Sequence, residues 1–168
     1  MPHPARAFSA PASRTPLLRA SAIRGDWTSR QRQPVTADAC ADPAVWTAAL
    51  FHEPSATMTA VLAVRDRLVA LVALRPASRD SFRVLARNED EVLVGSDDRH
   101  LDFRASVRCT RHTVDVVTFV EVHNLLGRLY LMPVRIVHST IVRGMLRRAA
   151  KRLDPARRGV PARTRGSS

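Results

Sequence analysis

The chain has 168 residues, 45% of them hydrophobic, which is enough for one domain with a core of its own. It holds only two cysteines, Cys40 and Cys109, at a spacing that matches neither a zinc motif nor a disulfide framework, so both read as buried or half-buried thiols. The net charge of +12 sits mainly at the ends. Residues 1–33 carry +5 and residues 143–168 carry +8, whereas residues 34–142 carry −1. A nearly neutral body is poor support for nucleic-acid recognition by a folded surface, and only the Arg-rich tails are left for weak association of that kind.

Residues 1–26 are rich in Pro, Ala, Ser and Arg and have no hydrophobic period, which predicts a disordered basic leader. Leu17, Leu18 and Ile23 look too few to form a core. The folded domain is expected over 27–153, with Trp27 opening the first orderable stretch and a short edge strand at 32–38. Asp42-Pro43 is a helix start, an Asp cap followed by Pro at the first position, and the helix runs to Phe51. Pro54 interrupts it. Ser55 or Thr57 can cap a second helix through Leu74, with Met58, Val61, Leu62, Leu68, Val69 and Val72 at helical spacing. That window is the most apolar in the chain. Arg65, Asp66 and Arg67 interrupt it, so a buried helix is expected there and no membrane span.

The period then changes to two. Residues 82–87 and 91–94 form a hairpin around Asn88-Glu89-Asp90, and residues 95–98 read as the next turn. Residues 100–109 alternate most cleanly. Leu101, Phe103, Ala105, Val107 and Cys109 face one way; His100, Asp102, Arg104, Ser106 and Arg108 face the other. Residues 113–122 make the next strand. The helical period returns after Asn124, which can cap it, and Pro133 is expected to kink or restart the helix that ends near Leu153. Its apolar stripe includes Val134, His138, Ile141 and Met145, so His138 is expected to point at the sheet face of Leu101, Phe103 and Val107. Residues 154–168 read as a disordered basic tail. The fold class is therefore α+β: an antiparallel sheet of four to five strands packed against two N-terminal helices and a long C-terminal helix.

No phosphate loop, nucleophile elbow or metalloprotease motif is present. The polar run Asp98, His100, Asp102, Arg104 shares one strand face. It reads as a solvated face of Asp–Arg pairs or as a row lining a cleft, where His100 moves protons and Arg104 holds an anion. Ligands must converge at about 2 Å from a metal, which residues spaced along one strand do poorly, so no metal and no cofactor is expected. His123, Asn124, Gly127 and Tyr130 fall where the last strand meets the helix, either as cap and turn or as part of a site. His138 reads as a hydrogen-bonded core histidine or as the polar group of an apolar cavity.

These runs carry a resemblance. Residues 91–95, the run DDRHLDFR at 97–104, Val122-His123-Asn124, Gly127-Arg128, Tyr130 and His138 resemble the bacterial family called domain of unknown function 2867. Trp46, Pro54 and Arg65-Asp66 fit its helical part, and the chain departs from it at Ala73-Leu74, where the pattern has Gly-Leu. The resemblance implies a shape and no activity. The element order is similar to a reduced helix-grip, or START-like, fold with a sheet wrapped on a C-terminal helix. The expected function is binding of a small, largely apolar molecule between sheet and helix, with His100, Asp102, Arg104, His123, Tyr130 and His138 as candidate contacts. The rivals are a cyclase- or hydratase-type enzyme using His100, Asp102 or His138 as acid–base groups and nucleic-acid association through the tails. A cytoplasmic location is the default expectation. The oligomeric state is left open.

Overall fold

The computed structural model describes residues 14–52 and 82–157. The expected helix over 55–74, with Arg65-Asp66, and the outer parts of both tails lie outside the described residues. The described chain runs through helix α1 (Pro16–Ala20), strand β1 (Trp27–Pro34), helix α2 (Pro43–Thr47) with a π-helical turn (Ala48–His52), strands β2 (Arg83–Arg87), β3 (Glu91–Asp97), β4 (Leu101–Cys109) and β5 (Thr113–Val122), and helix α3 (Leu125–Leu153). It is an α+β fold with one five-stranded antiparallel sheet in the order β1-β5-β4-β3-β2.

The short links force antiparallel neighbours from β2 to β5, and β1 closes the far edge by pairing Trp27 with Val120 and Pro34 with Thr113. Because opposed residues share a face, the register sorts the sheet into two sides. One carries Val92, Val94, Ala105, Val107, Cys109, Val114 and Val116. The other carries Glu91, Leu93, Ser106, Asp115, Val117 and Phe119.

The first face builds the main core. Val107, Cys109, Val114 and Val116 meet Val142, Met145, Leu146 and Ala149 of α3, with Trp46 and Leu50 closing the side. Asp42 caps α2 by accepting from Ala44 N at 2.8 Å, and the fully buried Trp46 donates its indole N–H to the Cys40 carbonyl at 2.8 Å. Toward β2 the same face carries aromatic rings, with Phe51 stacked on Phe82 at 4.8 Å and Phe82 edge-on to Phe103 at 5.6 Å.

The second face is closed by the N-terminal segment, which corrects the expectation that Leu17, Leu18 and Ile23 are too few to pack. Leu18 and Ile23 are buried against Leu93, Val117 and Phe119. They need no core of their own, because the sheet supplies the rest of the cluster. Ser106, expected on a solvated row, is fully buried beneath them. Glu91 is also fully buried, and accepts from the Thr15 hydroxyl, from Ser106 Oγ at 2.6 Å and from Leu17 N at 3.2 Å.

Three further boundaries differ from the sequence reading. The edge strand lies at 27–34 rather than 32–38, because its polar residues are held by pairing with β5 and not by an apolar alternation. Gly95–Asp97 continue β3 instead of turning. A Cβ at Gly95 would lie 2.8 Å from Arg104 Cδ and 2.4 Å from the Phe103 carbonyl, so the missing side chain makes room for Arg104 to cross the strand. Finally, Asp154 belongs to the fold and not to a tail. It is fully buried and accepts from Thr36 N and Thr36 Oγ1 at 3.0 and 2.7 Å, tying the end of α3 to the chain after β1.

Candidate functional site

The residues singled out by sequence fall into two places, both at the end of the sheet where α3 begins. The first is a polar corner. His123 follows β5 and His100 precedes β4, and the His123 amide donates to the His100 carbonyl at 2.9 Å. Asn124 caps α3 by accepting from Gly127 N at 3.1 Å, donates to the Arg99 carbonyl at 3.0 Å, and sets its amide 3.0 Å from His100 Nδ1. Gly127 is required by this close approach, since a Cβ there would lie 2.1 Å from the His100 carbonyl oxygen. Asp102 pairs with His123 Nε2 at 3.1 Å while accepting from the Asp98 amide, also at 3.1 Å. That carboxylate hydrogen bond raises the His123 pKa above the ordinary imidazole value. Arg104 is turned to internal partners: Asp97 at 2.6 Å and the Ser96 and Phe103 carbonyls at 3.3 and 2.9 Å.

The second place is built around a ring pair. His138, near the middle of α3, lies edge-on to Trp27 with ring centroids 4.9 Å apart. Trp27 is paired with Val120, and Val120 with Phe103, so His138 faces the expected side of the sheet. The ring it meets there belongs to the edge strand. Its Nδ1 is the one buried side-chain nitrogen or oxygen among the described residues that has no hydrogen-bond partner. Burial pushes its pKa down to about 4, so the imidazole is neutral at neutral pH. Tyr130 is half-buried, one turn inside the start of α3.

Residues 22–145 match the model of a family described as Protein of unknown function (DUF2867). The chain belongs to this family. No curated protein and no solved structure matches it. The DUF2867 segment contains both places, from Trp27 through the polar corner to His138, while α1, which contacts Glu91, lies before it.

The two places offer different chemistry. In the polar corner every group is already committed: Asp102 to His123, His100 to Asn124, Arg104 to Asp97. No group of three or more His, Cys, Asp or Glu among the described residues is arranged to hold a metal ion. His138 is the opposite case, a neutral ring nitrogen buried beside the Trp27 ring with nothing to bond. The sequence reading named His138 and missed Trp27 as its neighbour. Trp27, Ser29, Gln31 and Gln33 share the inner face of β1, and that mostly polar row gives no apolar signal.

Proposed function

We propose that this DUF2867 domain binds a small, largely apolar molecule with one polar head, held between β1 and the first half of α3. One observation carries the reading: His138 Nδ1 is buried without a partner beside the Trp27 ring. An unmade hydrogen bond of this kind costs on the order of 1–3 kcal/mol, and a ligand hydroxyl would recover it. Small-molecule sites combine aromatic or apolar lining with a few placed polar groups, and the Trp27 ring beside His138 Nδ1 supplies one of each.

Trp27 supplies the assay. Trp46 is fully buried with its N–H bonded, so a fluorescence change on adding medium-chain alcohols or hydroxylated aromatics reports on Trp27, and Trp27→Phe is the control. Binding is expected to weaken about tenfold in His138→Leu, the loss of one hydrogen bond, with the thermal transition retained. Equal affinity in wild type and His138→Leu, or no response to any ligand of the panel, would remove the proposal.

A second reading, acid–base catalysis of the cyclase or hydratase type, is favoured by the Asp102–His123 pair, a carboxylate orienting an imidazole. Its test is turnover that disappears in His123→Asn and survives in His138→Leu.

A further inference from the structure

Helix α3 has two apolar sides, and the fold uses only one. Leu131, Val142, Met145, Leu146 and Ala149 face inward and are buried. Leu125, Leu129, Met132 and Ile136, spaced by four, three and four, form a stripe on the opposite side, with Leu125 79% and Ile136 80% exposed. The same outward line continues through Arg143, Arg147 and Lys151, all exposed. Over its 29 residues the helix carries seven basic residues and no acidic one. Arg128, Arg135, Arg147 and Lys151 make no ion pair among the described residues. By length and composition α3 is also the one helix among the described residues that could cross a bilayer. Its inward side is nevertheless built into the core over the last three turns, which suits a helix lying along a surface and not through it.

From this we infer that the outward side of α3 docks on an anionic phospholipid surface, with Leu125, Leu129, Met132 and Ile136 entering the headgroup boundary and Arg143, Arg147 and Lys151 on the phosphates. Charge decides among occupants. A second copy would set Arg143, Arg147 and Lys151 against their own equivalents with no carboxylate on either helix to pair them, whereas an anionic membrane meets both the apolar stripe and the charge. Nucleic acid would meet the charge and leave the apolar stripe in water.

The test is sedimentation of the full chain with phosphatidylcholine vesicles and with mixed phosphatidylcholine–phosphatidylglycerol vesicles. Binding is expected to the mixed vesicles alone. Met132→Glu/Ile136→Glu keeps both Arg-rich tails and should reduce partitioning by at least about tenfold, since two buried apolar side chains are replaced by anions. Arg143→Gln/Arg147→Gln should reduce it about fivefold per charge, the effect of one basic residue near an anionic surface. Undiminished binding of the double-Glu protein would assign the affinity to the tails and overturn the proposal. No vesicle binding by wild type would overturn it too. So would a concentration-dependent dimer dissolved by Ile136→Glu, which would make the occupant a second copy. A large fall in the thermal transition of the milder Ile136→Ser would place the stripe inside the fold and equally exclude the membrane.

Discussion

The two faces of the sheet are closed by different means. On the α3 face, aliphatic and aromatic side chains from five elements interlock, and Trp46 donates its indole N–H to the Cys40 carbonyl. On the opposite face, a five-residue helix and the segment after it lay Leu18 and Ile23 over Leu93, Val117 and Phe119, and the join is completed by a fully buried carboxylate. Apolar burial is spread over many partners, and the loss at any one of them scales with the volume removed. A buried carboxylate needs each of its hydrogen bonds, because a charge without partners in the interior is strongly disfavoured. The same sheet therefore has a distributed side and a side that hinges on Glu91.

The largest expected effect lies on the distributed side. Trp46→Ala removes the biggest fully buried side chain and orphans the Cys40 carbonyl, and should cost about 3–5 kcal/mol in denaturant unfolding, with loss of amide protection across the whole sheet. Glu91→Ala should cost less, about 2–4 kcal/mol, and act locally: the hydroxyls of Thr15 and Ser106 and the Leu17 amide lose their acceptor. Hydrogen exchange should then rise first over residues 14–23 and leave α3 protected. If Glu91→Ala instead opened α3 and residues 14–23 together, the two faces would be one cooperative unit and the contrast between them would fail.

The same contrast explains what could be read from sequence. Strands β4 and β5, the hairpin to β3, the Asp42 and Asn124 caps and the long final helix are written in local patterns of period and capping, and each appears where those patterns put it. The closing of the second face is not local. Leu18 and Ile23 stand alone in a Pro- and Arg-rich stretch, and only the sheet, assembled from residues about 70–100 positions later, makes them a core. Edge strand β1 is similar: two arginines on its outer side, Arg30 and Arg32, converge on Asp115 at 2.9 and 2.8 Å, a pairing no local pattern announces. At the candidate site, residue types singled out the members of the polar corner and His138. The pairing of Asp102 with His123 and of His138 with Trp27 depends on register across strands and on the tilt of α3, and neither is visible in spacing along one segment.

The smallest expected effect separates the two histidines. His123 has a raised pKa from its bond to Asp102, so its contribution to stability is present below the unfolded value and lost as pH rises through the folded one; it is exposed and solvent-screened, and that contribution is small. His138 behaves in the reverse sense. Its folded pKa of about 4 lies below the ordinary imidazole value of 6.5, so between these values the unfolded chain binds the proton more readily. Stability attributable to His138 is full above pH 6.5 and falls as pH drops toward 4. Between pH 7 and 5 the loss should be about 1–2 kcal/mol in ligand-free protein, the order that linkage assigns to one buried imidazole. The carboxylates Asp115 and Asp154, held low by Arg32, Arg30 and Thr36 despite their burial, titrate below this window and leave it clear. His138→Leu should flatten the stability profile between pH 7 and 5, and His123→Asn should leave its slope in place. A slope that persisted in His138→Leu and vanished in His123→Asn would mean that the Trp27 side is open to water, and the polar corner, not the apolar one, would then hold the buried imidazole.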